Sequence, residues 1–144
     1  MRIIIDGDSC STLAIIAKVA TEKQIPIMVY CDYNHNIDAL GYATINYNDS
    51  GTNQTDYVIF SELRKDDILI TNDVGLAGIA LLKCGSVITN EGKIYNDCNV
   101  DCALYIRGER QRARHKRKSL KLQRTIEHFD FESSLLKEIN RLEE

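Results

Sequence analysis

The 144-residue sequence contains one proline, no tryptophan and no apolar run that approaches the length of a membrane span. A transmembrane helix needs roughly 20 consecutive apolar residues, so the sequence does not support one. The opening residues MRIIIDGD turn acidic after a short apolar run, unlike a signal peptide. We therefore expect a cytoplasmic protein that makes no membrane contact.

Several familiar chemical motifs are also missing. The sequence has no P-loop, no glycine-rich dinucleotide fingerprint and no nucleophile elbow. Its five cysteines are an odd number, which argues against a disulfide framework. Cys98 and Cys102 are four residues apart, but no second Cys/His pair has the spacing of a zinc site. Free thiols are therefore the expected state.

The charge distribution is strongly asymmetric, although the net charge is only −3. Residues 1–106 are acidic, whereas residues 107–124 carry nine Lys or Arg and one Glu. Such density suits a nucleic-acid backbone, and the lack of interleaved aromatics predicts sequence-independent, salt-sensitive binding. The alternatives are a solvated helix face or a strip that pairs with the acidic residues. On the first interpretation the nucleic-acid-binding residues are Arg107, Arg110, Arg112, Arg114, Lys116, Arg117 and Lys118.

Strand and helix patterns alternate over the first 90 residues. Apolar or β-branched runs predict strands at residues 2–5, 26–31, 42–47, 67–71 and 86–89. Amphipathic segments lie between most of these runs, and helical crossovers of that length favour parallel strands. We therefore predict an α/β fold with a mainly parallel sheet and helices on both faces.

Two helix ends and one domain boundary are also predicted. The helix after the fourth strand, GLAGIALLK, is expected to stop at Gly85. A last amphipathic helix is expected at about 132–143. Residues 1–106 should form the α/β domain, and residues 107–144 a basic and amphipathic helical extension packed on the same domain.

Carboxylates follow the predicted strands. Asp6 and Asp8 come after the first strand, Asp73 comes after the fourth, and Asp56 lies in the first turn of a helix. Because parallel strands present their carboxyl ends at one edge, we expect these side chains to converge. Clustered carboxylates repel each other unless a cation neutralises them, and oxygen ligands suit Mg²⁺ or Mn²⁺. The alternative for each single Asp is a helix cap.

Four separated motifs resemble a known family. They are the opening MRIIIDGDSC, the pair Ser50-Gly51 with Asp56, the segment DILITNDVGLA at 67–77, and GKIY at 92–95. Together they resemble the YaiI/YqxD family of uncharacterised bacterial proteins, also called UPF0178 or DUF188. The resemblance implies a Rossmann-like, PIN-like three-layer α/β/α sandwich related to metal-dependent ribonucleases.

The resemblance also bears on single residues. It places Asp6, Asp8, Asp56 and Asp73 at the family's acidic positions, and Arg107 at an arginine in the helix after the sheet. A second acid is usual before Asp56, where this chain has Asn53, whose oxygen is still a ligand but carries no charge. The usual Asn-Pro-Arg-Gly is here Thr89-Asn90-Glu91-Gly92, which removes a cation.

The leading hypothesis is a divalent-metal-dependent nuclease that hydrolyses phosphodiesters, with RNA as the expected partner and Mg²⁺ or Mn²⁺ as the cofactor. Two alternatives stay open: a non-enzymatic nucleic-acid-binding protein with a weakened metal site, and a haloacid-dehalogenase-like phosphatase. The sequence does not decide whether the chain is an enzyme, nor its oligomeric state. The expected catalytic residues are Asp6, Asp8, Asp56 and Asp73; the expected metal ligands are Asp6, Asn53, Asp56 and Asp73; and the expected ligand-orienting residues are Ser50 and Thr71.

Overall fold

The first apolar run forms a strand in the middle of a six-stranded sheet. The structure is a computed structural model, and it describes residues 1–7, 12–32, 43–48, 54–96, 99 and 130–143. Within these ranges the predicted strands and helices are present. The elements are β1 (Ile3–Asp6), α1 (Leu13–Lys23), β2 (Ile27–Asp32), β3 (Ala43–Asn48), α2 (Gln54–Glu62), β4 (Ile68–Ile70), α3 (Val74–Ala80), β5 (Ser86–Ile88), β6 (Ile94–Tyr95) and α4 (Phe131–Glu143).

The strand order is β3-β2-β1-β4-β5-β6. The first five strands are parallel, and β6 pairs with β5 in the antiparallel direction. The chain moves outward from β1 through β2 to β3, and then crosses back to place β4 on the other side of β1. This reversal creates a topological switch point between β1 and β4, where ligands of such folds bind beyond the strand carboxyl ends.

The two faces of the sheet bury different helices because successive side chains of a strand point to opposite sides. Ile3 and Ile5 pack in one cluster with residues of α1 and α4. Ile4 and Leu69 pack in the other cluster with residues of α2 and α3. The predicted Rossmann-like three-layer α/β/α arrangement is therefore confirmed. Residues 107–129, which include the basic part of the expected extension, lie outside the described residues.

Helix α4 packs against β5 and forms hydrogen bonds to the chain beyond both ends of that strand. Its Phe131, Leu135 and Ile139 are buried in the cluster that contains α1. The hydroxyl of Ser134 donates to the carbonyl of Gly92 after β5, at 2.6 Å, whereas Arg141 donates to the carbonyl of Gly85 before it, at 2.7 Å. Thus α4 runs opposite to β5. No helix in the described part of the chain is long and apolar enough to cross a membrane.

The prediction for the end of α3 is wrong. The helix stops at Ala80, five residues before Gly85, because the following amides of Leu82 and Lys83 bond to carbonyls three residues back and form a tight turn. The Lys83 ammonium then donates to the Phe60 carbonyl of α2 at 2.7 Å. Gly85 has another role in packing: a Cβ there would lie 2.7 Å and 3.0 Å from the two Leu142 methyls and 3.0 Å from the Lys65 carbonyl oxygen.

Replacing Gly85 by Ala is expected to lower the free energy of unfolding by about 1–3 kcal/mol, because the added methyl overpacks the contact with α4. Urea unfolding measures the change. Adding Leu142→Ala removes the two contacts with the Leu142 methyls and leaves the one with the Lys65 carbonyl. The double variant should therefore lose less than the sum of the two single changes. A Gly85→Ala variant as stable as the parent would contradict this account.

Candidate active site

Asp6 and Thr71 meet at the switch point. Asp6 is the last residue of β1 and is 5% exposed, and Thr71 directly follows β4 and is fully buried. Because Ile5 is in register with Ile70, the next residues of the two strands lie side by side. The Thr71 hydroxyl donates to Asp6 Oδ2 at 2.9 Å. The fold therefore holds a buried carboxylate at the carboxyl end of the central strand.

Asp73 is joined to the same hydroxyl. Its backbone N–H donates to Thr71 Oγ1 at 3.0 Å, so one threonine connects both aspartates. The Asp73 side chain caps α3, since its Oδ1 accepts from the amides of Gly75 at 2.8 Å and Leu76 at 3.2 Å. The cap foreseen as an alternative is present, and it also fixes where the carboxylate lies.

Three polar residues that were not assigned to the site extend it toward β5. The backbone N–H of Asn90 donates to Asn72 Oδ1, and the Thr12 hydroxyl donates to the side-chain oxygen Asn90 Oδ1, each at 3.0 Å. Asn90 is 6% exposed, whereas Thr12 is half-buried and Asn72 is exposed, so the network runs from the protein interior to solvent. Asn72 and Asn90 each follow the carboxyl end of a parallel strand by two residues. That position is the sequence signal by which both could have been found.

Negatively charged side chains lie near Tyr95 at this edge of the sheet. Burial raises the pKa of Tyr95, and the negative charges of Glu91 and Asp73 raise it further. Burial disfavours any charge there, but the negative charges of Glu91 and Asp73, which disfavour a phenolate, would favour a cation.

Comparison with known proteins assigns the chain to a family. The sequence model of the uncharacterised YaiI/YqxD family (DUF188) matches residues 4–142. The chain belongs to the YaiI/YqxD family. It is 39% identical to a UPF0178 protein of Clostridium tetani over 107 residues, covering 74% of this chain and 73% of the relative. It is 33% identical to a UPF0178 protein of Clostridium novyi over 147 residues, covering 100% of this chain and 98% of the relative. No solved structure matches.

Hydrogen bonds connect three of the predicted residues of this YaiI/YqxD protein, namely Asp6, Thr71 and Asp73. Asp56 lies half-buried in the first turn of α2. Among the described residues, no three His, Cys, Asp or Glu side chains form a group suited to a metal ion. The predicted residues that lie outside the described ranges are Asp8, Ser50, Asn53, Arg107, Arg110, Arg112, Arg114, Lys116, Arg117 and Lys118.

The donors that are described fit Mg²⁺ better than a metal that needs a full protein cage. Mg²⁺ is commonly held by one or two carboxylates and keeps several waters. Asp6 and Asp73, connected through Thr71, supply two carboxylates at one strand edge of the YaiI/YqxD fold. The metal ligands Asp6, Asn53, Asp56 and Asp73 all stay predictions.

Proposed function

We propose that this YaiI/YqxD protein is a divalent-metal-dependent nuclease of PIN-like type that hydrolyses phosphodiester bonds in RNA. The observation that carries the proposal is the Asp6–Thr71–Asp73 group at the switch point between β1 and β4. Open α/β sheets bind their ligands at this place in the fold. The family supplies no activity, since the matching model and the relatives are described only as uncharacterised or UPF0178 proteins.

Charge and burial favour a cation as the first ligand. Asp6 is 5% exposed, and a carboxylate with so little water around it needs hydrogen-bond donors or positive charge. Asp73 adds a second negative charge at the same edge. The Thr71 hydroxyl that donates to Asp6 is uncharged, so it does not neutralise the carboxylate. A divalent cation can neutralise both.

Different residues of the chain would bind the metal ion, accept the proton and position these groups. Asp6 and Asp73 would hold Mg²⁺ or Mn²⁺ directly or through water, with Asn53 and Asp56 as further ligands. Asp8 would accept a proton from the attacking water. When bound, such an ion orients phosphate oxygens and lowers the pKa of a bound water. Thr71 is buried, donates to the Asp6 carboxylate and accepts from the Asp73 backbone N–H. The Asp73 carboxylate itself is held by the Gly75 and Leu76 amides.

Substrate contacts would come from neutral donors near the carboxylates and from the basic segment. Asn72 presents its amide oxygen to Asn90, so its NH₂ group is the part that would donate to a phosphate oxygen. Ser50 would orient a ligand. The proposed contacts to the RNA backbone are Arg107, Arg110, Arg112, Arg114, Lys116, Arg117 and Lys118.

Cleavage of single-stranded RNA should require Mg²⁺ or Mn²⁺ and should stop when a chelator is added. The purified chain is incubated with labelled RNA under each condition, and Asp6→Asn, which keeps an oxygen for the Thr71 hydroxyl, is purified in parallel. Asp66→Asn is the matched control, because Asp66 is exposed on the turn at the opposite end of β4. Calorimetric titration with Mn²⁺ tests binding of the ion separately.

Two outcomes would count against the nuclease. Equal cleavage by the parent and by Asp6→Asn would identify a contaminant. Tight, salt-sensitive RNA binding without turnover under either ion would favour the non-enzymatic nucleic-acid-binding protein.

A further inference from the structure

A cavity of about 520 Å³ lies between the start of β6 and the first turns of α4. The hydrogen bond from Ser134 to the Gly92 carbonyl closes one side of it. Gly92 follows the carboxyl end of β5, and β6 is antiparallel, so its first residues lie at that same end. The cavity is therefore at the sheet edge that carries Asp6 and Thr71, on the flank formed by β5, β6 and α4.

The charge of the cavity is opposite to that of the acidic site. Lys93 and Lys137 line it together with Ser133 and Asn99, and its described lining contains no carboxylate. Among the described residues, neither lysine forms an ion pair with a carboxylate, and the Lys93 ammonium lies 5.7 Å from the centroid of the Tyr95 ring. Both lysines therefore add positive charge at this flank of the sheet, and that charge attracts anions.

The volume of the cavity indicates which class of anion it can hold. Ligand pockets usually measure roughly 300–1,000 Å³, and about 520 Å³ is more than a single inorganic phosphate fills. Ile94 adds an apolar wall beside the lysines. A phosphate that carries a sugar and a base satisfies both the charges and the apolar wall. Just before α4, the Asp130 carboxylate accepts from the Ser133 hydroxyl at 2.7 Å.

A single turn connects the cavity to the acidic site. In the turn 89–92, the Thr89 hydroxyl accepts from the Lys93 amide at 3.0 Å, and Gly92 adopts a φ of 96°. Asn90 in the same turn bonds to Asn72 and Thr12 of the site. Since neighbouring strands are roughly 5 Å apart, β6 lies roughly 10 Å from β4 across the sheet. A short single-stranded oligonucleotide spans that distance.

We propose that this cavity is a nucleotide-phosphate subsite, in which Lys93 and Lys137 each bind a backbone phosphate of the strand whose scissile bond lies at Asp6 and Asp73. The inference rests on the proposed function for the identity of the ligand, but the lysines are distinct from the residues assigned to metal and catalysis.

The test is the double variant Lys93→Gln/Lys137→Gln, with binding of a short, single-stranded oligouridylate measured by fluorescence anisotropy at several salt concentrations. Each phosphate contact contributes about 0.7 to the slope of log K against log salt for single strands, so the slope should fall by about 1.4 in magnitude. Affinity at low salt should fall on the order of tenfold. The matched control is Lys23→Gln/Lys65→Gln, which removes the same charge from exposed lysines before β2 and β4, at the opposite edge; its slope should stay close to that of the parent.

The outcomes separate the subsite from the nuclease. An unchanged slope in the Lys93/Lys137 variant, or an equal loss in the control, overturns the subsite even if the parent cleaves RNA. A parent chain that does not bind the oligonucleotide overturns it as well. A selective loss of slope in the Lys93/Lys137 variant, with no cleavage by the parent, supports the subsite while the nuclease fails. Mn²⁺ titration of the double variant should match the parent, because neither lysine contacts Asp6 or Asp73.

Discussion

Asp73→Asn is expected to lower metal-dependent RNA cleavage by on the order of 100-fold or more, while the melting temperature stays close to that of the parent. Asparagine caps a helix as well as aspartate does, so the bonds from the Gly75 and Leu76 amides should persist. Only the negative charge is removed. Initial rates at saturating Mg²⁺ or Mn²⁺, together with thermal unfolding, give the two readouts.

Asp73→Ala separates the charge from the cap. This variant loses both, so it should show the same loss of activity plus a decrease of about 1 kcal/mol in the free energy of unfolding. Full activity in Asp73→Asn would make Asp73 a helix cap without a role in metal binding. Asp66→Asn again serves as the control for a change of one charge, since that side chain is exposed and lies at the other edge.

The connected part of the site was predictable because it depends on topology more than on detail. Strands buried on both faces appear in a sequence as continuous apolar runs, and the run at 2–5 became β1, Ile3–Asp6. Once five such runs are taken as parallel, the residues that follow β1 and β4 must share an edge. Asp6, Thr71 and Asp73 therefore lie together as that reasoning expects.

What the sequence did not predict depends on contacts between distant segments. The bond from Thr12 to Asn90 joins residues 78 positions apart, and no local pattern indicates which way the Asn90 side chain turns. Gly85 resembles a helix stop in sequence, whereas in the structure Leu142, near the far end of the chain, occupies the space beside it. Local propensity describes an element, but only packing shows which neighbour comes within reach.

A second large effect is expected far from the site, at the amino end of β4. Asp67 is 2% exposed and accepts from Arg2 Nε at 3.1 Å, from Arg2 Nη2 at 2.7 Å and from the Arg64 amide at 2.8 Å. Asp67→Ala should lower the free energy of unfolding by about 3–5 kcal/mol, because it leaves a poorly hydrated guanidinium without its counter-ion. Urea unfolding measures the loss, and Asp66→Ala, one residue away and exposed, should change stability little.

The cause of that loss can be tested with the double variant Arg2→Leu/Asp67→Leu. The hydrogen bond to Asp67 raises the pKa of Arg2, so the guanidinium stays charged at any pH at which the protein folds. If its unpaired charge causes most of the loss, removing both partners should cost less than Asp67→Ala alone, although the Arg64 amide loses its acceptor in both. A double variant less stable than Asp67→Ala would show instead that packing at this position matters more than charge. Because the pair lies at the edge opposite Asp6, either result should leave RNA cleavage by the folded protein unchanged.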